Sequence, residues 1–399
     1  MNICYLLPQV NIDKNGVIIG GSVNSAINLA KKIASKKNNK IVIVIGMPKS
    51  RIDSFWIEEV NSVKFILIPI SANLSSYRYG IEFILKSLKV IKDLDKKCNF
   101  DIVHGHSGFV VYGLATAIAG KVIGKSTIHT IYCPVNPSLK GKIFTKLSLR
   151  FIDKIVVISK NTFQSLTSLG IQKEKIDIIP PLIDFDKYYL KTENQDIKEK
   201  LLKNGFNTKT SLFVGNLKPN KGLDLLIDIL VKVKEKIPNI KFIITTEPKK
   251  FQLKNFRVKK FLEIIENKIR NYQLKDSIVF LESVEDMPKL ITLVDLIIIP
   301  FRNTYGPSDY PLIAIEAMAC KKPIVAFNVG GLSEIIKDGN NGRLIPLGNI
   351  EKFAEAINDI LLNKKESKNF GENGYKFIRK FLSPANTYLK MEKIYEKYK

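Results

Sequence analysis

The sequence predicts an α/β fold of two doubly wound, Rossmann-like domains, and three observations predict it. The chain has 399 residues, more than one ordinary domain and enough for two full cores. Short apolar runs of buried-strand type alternate with amphipathic stretches along its whole length, the pattern of parallel βαβ units. Glycine pairs at Gly20-Gly21 and Gly330-Gly331 each close the loop after an apolar run and precede a helical pattern.

Asn2 to Leu7 is the first apolar run, read as a strand rather than a secretion signal because it is short and uncharged. A polar loop closes with Gly20-Gly21, where a backbone without side chains can approach a phosphate or simply turn. Ser22 to Ser35 follows as a helix, with Ile27, Ala30 and Ala34 at helical spacing. Strands are expected at Ile41–Ile45 and Val63–Ile68, and a basic amphipathic helix at Tyr79–Leu94. DIVHGHSGFVVYGLATAIAG then supplies a strand, a loop and a small-residue helix, and STIHTIYCP a strand ending at His129.

All three histidines, His104, His106 and His129, fall at carboxyl ends of these strands, the edge where open α/β sheets bind ligands. With Cys133 they offer zinc-ligand chemistry, but nothing supplies the tight spacing a zinc site needs, and no metal is assigned. His104 reads as a packed core residue. GKS at Gly124–Ser126 is not a phosphate loop, because Gly120 is one residue too near and a strand follows where a helix is required.

In SLKGKIFTKLSLRFIDK the cations Lys140, Lys142, Lys146 and Arg150 interleave with Ile143, Phe144, Leu147 and Phe151. Such a segment either lies on an anionic membrane or covers a core with its charges solvated. The polar stretch Lys187–Lys209 is the expected linker. It divides a first domain, residues 1–186 with a returning helix at 384–399, from a second at 210–383.

The second domain opens with TSLFVGNLKPNKGLDLLIDIL as strand, loop and helix. Strands follow at Ile240–Thr245, Ile278–Leu281, Leu296–Pro300 and Pro323–Phe327, with a helix-like stretch over Lys249–Arg270. A helix begins near Leu312 and carries Glu316 in its first turns, and Ser333-Glu334 opens another. Helices run to the end, the last over Pro384–Tyr398.

Composition bounds the partners. Sixty-three Lys+Arg against 38 Asp+Glu give a net charge of +25, which suits nucleotides, other phosphates or an anionic membrane face, or reflects a general Lys-rich bias. No aromatic-basic module accompanies the charge, so nucleic acid is not an expected partner. Four scattered cysteines imply neither a disulfide framework nor a zinc knuckle and fit a reduced, cytoplasmic setting. No run reaches the roughly 20 apolar residues of a membrane-spanning helix.

EAMACKKPIVAFNVGGLSEIIKDGNNGRLIP, Glu316 to Pro346, resembles the donor-binding segment of the retaining GT-B glycosyltransferases of family 4, the "group 1" family: E-x7-E-A-M-A-x-G-x-P-V-V, then G-G-x-x-E, then N-G. GNLKPNKG is similar to that family's G-R-L-x-x-x-K-G, the histidine segments to its D-V-V-H-x-H and T-x-H, and Asp295 to the Asp of A-D-x-x-x-x-P-S. The resemblance implies two facing Rossmann-like domains with a nucleotide-sugar site in the cleft.

It further implies a metal-independent hexosyltransferase with no cofactor besides its donor, a nucleoside diphosphate sugar. The acceptor would be a hydroxyl on a glycan, a lipid-linked molecule or a small molecule, reached in the cytoplasm or on the inner membrane face. Lys221 and Lys218 would hold the diphosphate with backbone N–H groups near Gly20, Gly21, Gly330 and Gly331. Glu316 would bind the ribose, and His129 the sugar. Ser308 occupies the place of the family's first Glu, so Ser308 and Asp309 would meet the sugar, beside Tyr310, Pro311 and Leu312. Asn216 stands where the family has Arg. These two departures keep open a GT-B protein that binds sugar nucleotides without transfer, or epimerises them.

Overall fold

The computed structural model describes every residue except 8–10, 13–17, 20, 37, 50, 51, 53, 55, 61, 72–76, 108–110, 136–137, 186–187, 189–207, 247–255, 283, 285 and 307. Gly20 and nearly all of the expected linker lie outside the described residues. The chain divides into two compact units. The first comprises Met1–Ile183, Tyr305–Asp309 and Phe381–Lys399, the second Asp184–Thr304 and Tyr310–Lys380.

The strands of the first unit are β1 (Asn2–Leu7), β2 (Asn11–Ile12), β3 (Ile18–Ile19), β4 (Lys40–Pro48), β5 (Trp56–Val60), β6 (Val63–Ile70), β7 (Ile102–Ser107), β8 (Ser126–Ile131), β9 (Lys154–Val157) and β10 (Ile176–Ile178). Its helices are α1 (Gly21–Ala34), α2 (Tyr77–Cys98), α3 (Val111–Ile123), α4 (Leu139–Leu149), α5 (Lys160–Thr167) and the last of the chain, Tyr388–Tyr398. Eight strands form one sheet in the order β10-β9-β8-β7-β1-β4-β6-β5, parallel except for β5. β5 goes beyond the sequence expectation: WIEEV is short and carries two adjacent acids, tolerable only at an edge. The last helix begins at Tyr388 rather than Pro384, after a turn in which Ser383 and Pro384 carbonyls accept from Thr387 and Leu389.

Strand alternation sorts the core onto two faces. Ile3, Tyr5 and Leu7 pack with Ile41, Ile43 and Ile45 under α1, where Met391, Ile394 and Tyr395 of the last helix join them. Cys4 and Leu6 pack with Val42, Val44, Ile66 and Ile68 under α2 and α3.

In the second unit β11 (Thr210–Val214), β12 (Lys241–Thr246), β13 (Ile278–Glu282), β14 (Leu296–Ile299), β15 (Ile324–Phe327) and β16 (Arg343–Ile345) form an all-parallel sheet in the order β13-β12-β11-β14-β15-β16. Its helices are α6 (Leu223–Lys236), α7 (Phe256–Asn271), α8 (Met287–Leu293), α9 (Leu312–Ala319), α10 (Leu332–Ile335), α11 (Ile350–Leu362) and α12 (Lys364–Phe381). The chain begins on central β11, runs outward through β12 and β13, and returns to β14 on the other side of β11. The carboxyl ends of β11 and β14 therefore flank a topological switch point, where loops diverge and leave room for a ligand.

One device recurs at strand starts. Asp295 Oδ2 accepts from the N–H and hydroxyl of Thr210 at 2.8 and 2.9 Å, as Asp153 does from Thr127 at 2.7 and 2.8 Å. An aspartate ahead of one strand thus satisfies the otherwise open first donors of its neighbour. Among the described residues no helix is long and apolar enough to cross a membrane.

Candidate active site

The loop after β11 is shaped by two glycines. A Cβ at Gly215 would stand 2.8 Å from the Phe213 ring, and one at Gly222 would stand 1.8 Å from the Pro300 carbonyl oxygen. Gly222 also sits at φ 69°, so glycine alone lets this loop turn into α6 while touching the end of β14. Between them the single turn Pro219–Lys221 folds Lys221 inward. Its side chain is buried, with Nζ 4.1 Å from the Phe301 ring centroid, a cation over an aromatic face. Lys218, three residues earlier, is exposed.

The loop after β14 is stitched to the first. Arg302 donates its main-chain N–H to the Asn220 carbonyl at 2.9 Å and Nη1 to the Pro219 carbonyl at 2.8 Å. Its guanidinium also grips Asp224 of α6 with two bonds of 2.7 and 2.6 Å. Burial alone would raise the Asp224 carboxyl, but the Arg302 hydrogen bonds and charge outweigh it and hold it below the ordinary value. Arg302 is thereby spent on structure and does not replace the arginine that Asn216 displaces. Asn216 Oδ1 is a buried atom without a hydrogen-bond partner among the described residues.

Helix α9, LIAIEAMA, is apolar except for Glu316 and almost wholly buried. Glu316 is its fifth residue, in the second turn and one position past the four N–H groups that a helix start leaves open. Its Oε1 accepts the Tyr188 hydroxyl at 2.7 Å. Burial, then the Glu316 charge, keep that phenol protonated far above its ordinary value. Tyr188 escaped the sequence reading because it falls in the stretch taken for a linker. Its one signal is a tyrosine pair after the apolar crossover.

Beyond β15, Gly330 takes φ 54° and Gly331 caps α10, whose Glu334 accepts the Tyr310 hydroxyl at 2.7 Å. Lys221, Glu316, Tyr310, Gly330 and Gly331 thus gather after the carboxyl ends of β11, β14 and β15, three adjacent strands.

Ser308 and Asp309 belong to the first unit. The resemblance implies a sugar contact for this pair, and Asp309 is employed otherwise. It is fully buried, and its carboxylate accepts from the Ser159 hydroxyl, from Asn161 Nδ2 at 3.1 Å and from the Thr162 hydroxyl at 3.3 Å, at the start of α5. Its main-chain N–H donates to the Tyr132 carbonyl at 2.6 Å. A carboxylate so placed anchors a loop, since a helix N-terminus favours negative charge. Asp309→Ala should destabilise the protein by about 2–3 kcal/mol by leaving these donors unpaired. Thermal denaturation measures it, and an unchanged midpoint would refute the anchor.

The histidines sit inside the first unit, and β8 continues two residues past His129 to Ile131. The Thr116 hydroxyl donates to the Tyr112 carbonyl at 3.0 Å, so it accepts from His129 Nδ1, also at 3.0 Å. The proton is therefore on Nδ1, and Nε2 accepts from the Ser107 hydroxyl at 3.1 Å. Burial pushes His129 down to about 3, so the ring is neutral in ordinary buffers. Gly105 makes room for it, since a Cβ there would stand 2.4 Å from Nδ1. His104 bonds Tyr395 at 2.6 Å and Thr130 at 2.8 Å, and Tyr395 meets the Tyr5 hydroxyl at 2.5 Å. His106 Nδ1 meets the Tyr132 hydroxyl at 3.0 Å, while its buried Nε2 has no partner among the described residues.

Residues 19–187 match the Glycosyltransferase Family 4 domain and residues 193–377 the Glycosyl transferases group 1 domain. An uncharacterized glycosyltransferase of Methanocaldococcus jannaschii is 27% identical over 343 residues, 85% of this chain and 87% of its own. The UDP-Gal:alpha-D-GlcNAc-diphosphoundecaprenol alpha-1,3-galactosyltransferase of Escherichia coli is 25% identical over 329 residues, 77% of this chain and 80% of its own. The crystal structure of Anabaena HepE in complex with UDP and glucose superposes with a TM-score of 0.77 at 18% identity, covering 98% of each chain. The chain belongs to the GT-B glycosyltransferases of family 4, group 1.

Proposed function

We propose that the chain transfers a hexose from a nucleoside diphosphate sugar to a hydroxyl acceptor, with retention of the anomeric configuration and without a metal ion or cofactor. The observation that carries this reading is the buried Lys221 ammonium on one side of the β11/β14 switch point and the Glu316 carboxylate on α9 after β14. A diphosphate leaving group gains charge as the glycosidic bond breaks, and a fixed ammonium in a partly dry site stabilises that charge without reorganising. The first turns of α6 and α9 add N–H dipoles of the same sign. Lys218, exposed nearby, contributes long-range attraction. Glu316 suits paired ribose hydroxyls, which donate to a carboxylate.

UDP in the HepE complex and UDP-Gal in the E. coli relative's name support a uridine donor. The diphosphoundecaprenol in the same name supports a lipid-linked acceptor for this chain too. We place the reaction in the cytoplasm, at the inner membrane face. Thermal-shift titration with UDP-, GDP- and ADP-sugars, followed by product detection, tests the reading. A selective upward shift, sugar transfer unchanged by EDTA, and an α-linked product from an α-linked donor are expected. Loss of transfer in EDTA would overturn metal independence.

A second reading, sugar-nucleotide binding without transfer or with epimerisation, is favoured by Asn216 and Ser308 in place of Arg and Glu. Donor binding with no transfer across a broad acceptor panel, or an epimerised donor, would select it.

A further inference from the structure

Helix α4 is packed the wrong way round for a helix that merely covers a core. The side it turns inward carries Thr145 and Ser148 beside Leu149, each at most 4% exposed. Both hydroxyls are returned to the helix itself, Thr145 to the Gly141 carbonyl at 2.7 Å and Ser148 to the Thr145 carbonyl at 3.1 Å. Small inward residues let α3 approach closely, since a Cβ at Gly113 would already stand 3.3 Å from Leu149 and 3.4 Å from Ser148. The large apolar side chains point out. Leu139, Ile143, Leu147 and Phe151, four residues apart, are between 51% and 73% exposed, and Phe144 beside them is 48% exposed. That spacing makes one stripe along the helix, and Arg150 keeps helical dihedrals so that Phe151 extends it.

The flanks of the stripe are cationic. Lys142, Lys146 and Arg150 are exposed, and Lys175 closes the helix end on the Leu149 and Arg150 carbonyls at 3.4 and 3.0 Å. The Lys140 side chain lies outside what the structure describes. Residues 138–152 hold no acid. The same layer repeats the theme: α2 packs against α3 and α3 against α4, and α2 exposes Ile81 and Leu85 with Arg78 and Lys89. Ile81 and Leu85 stand two residues either side of buried Phe83, about 200° around the helix from it, and so point away from the sheet.

We propose that the outer face of the α2–α3–α4 layer docks on an anionic lipid bilayer, with Leu139, Ile143, Phe144, Leu147 and Phe151 entering the headgroup boundary and Lys142, Lys146 and Arg150 on lipid phosphates. The occupant follows from charge and shape. A contiguous apolar stripe of this size marks an interaction site. Its rim of long cations over an acid-free helix matches a negatively charged surface, and outward apolar side chains along one helix face suit insertion at a bilayer's headgroup boundary. The inference deepens the inner-membrane placement proposed above and is independent of sugar transfer.

Co-sedimentation of the full chain with phosphatidylglycerol-containing vesicles tests it, with phosphatidylcholine vesicles as control. Pelleting is expected with the first only, falling steeply as salt rises. Lys142→Glu with Lys146→Glu should weaken it by at least about fivefold for each cation removed. Ile143→Asp with Leu147→Asp should abolish it, with unchanged circular dichroism and unfolding midpoint because both side chains are exposed. Donor thermal shift, read on the same variants, should not move, so failure of docking and failure of the transferase reading are separate results. A parent that stays in the supernatant overturns the proposal. Retention by the Ile143/Leu147 variant overturns insertion. A parent dimer that the same variant converts to monomer, without vesicle binding, assigns the face to a second copy and overturns it too.

Discussion

Lys221→Ala is expected to lower turnover by about 10²- to 10³-fold, the size of effect that removal of one preorganised charge or donor at a developing anion produces. The reasoning rests on burial. Lys221 lies against Phe301 under the loop after β11, where little water screens its charge. Lys218 is exposed, so Lys218→Ala should cost less than about tenfold. The contrast between the two lysines separates a leaving-group role from general attraction of an anionic substrate. Glu316→Gln should act mainly on donor affinity, raising KM by about 10- to 100-fold, the value of hydrogen bonds to a charged partner. The amide keeps an oxygen for the Tyr188 hydroxyl, so the fold should be spared. Single-turnover measurements on these variants decide it, and unchanged rates for Lys221→Ala would refute the site.

Gly222→Ala should destabilise the second unit by about 3 kcal/mol. Two costs add: a side chain at φ 69°, and a methyl group 1.8 Å from the Pro300 oxygen. Because Pro300 belongs to the β14 loop, the substitution pushes apart the two loops that Arg302 joins, and donor affinity should fall with stability. At about 2–4 °C per kcal/mol for a domain of this size, calorimetry should show a drop near 10 °C in one transition. Gly124 offers the control: it also has positive φ, 68°, but no atom lies within 4 Å of its added Cβ, so Gly124→Ala should cost only about 1 kcal/mol.

The parallel strands were legible because burial on both faces demands continuous apolar runs, and Asn2–Leu7 and Leu296–Ile299 are such runs. β5 was not, because an edge strand with exposed Glu58 and Glu59 satisfies no hydrophobic period. The site divides the same way. Glu316 and Lys221 could be assigned because each sits in a short stretch that resembles a family motif, one after β14 and one after β11. The partner of Glu316, Tyr188, is 128 residues distant, and those of Asp309 are 147 to 150 residues distant. Such pairings are made by tertiary packing, so the bonds that Asp309 accepts at the start of α5 were not legible from its place beside a motif position. In α4 the period was plain but its phase was not. Apolar residues lie on more than one side, and only packing shows that Thr145 and Ser148 face inward.

The three interior imidazoles have a consequence for storage and assay. Burial holds His104 and His106 well below 6.5 and His129 at about 3, so all three are neutral in the native state. An unfolded chain would protonate them as acidity rises past pH 6.5, which favours unfolding. Stability should therefore be level in mild alkali and decline below pH 6.5, His129 contributing up to about 1.4 kcal/mol per pH unit until about 3 and His104 and His106 acting in the same direction. Urea melts at pH 7.5 and 5.5 would register the uptake of protons as a lower unfolding free energy at the lower pH, and equal values would refute it.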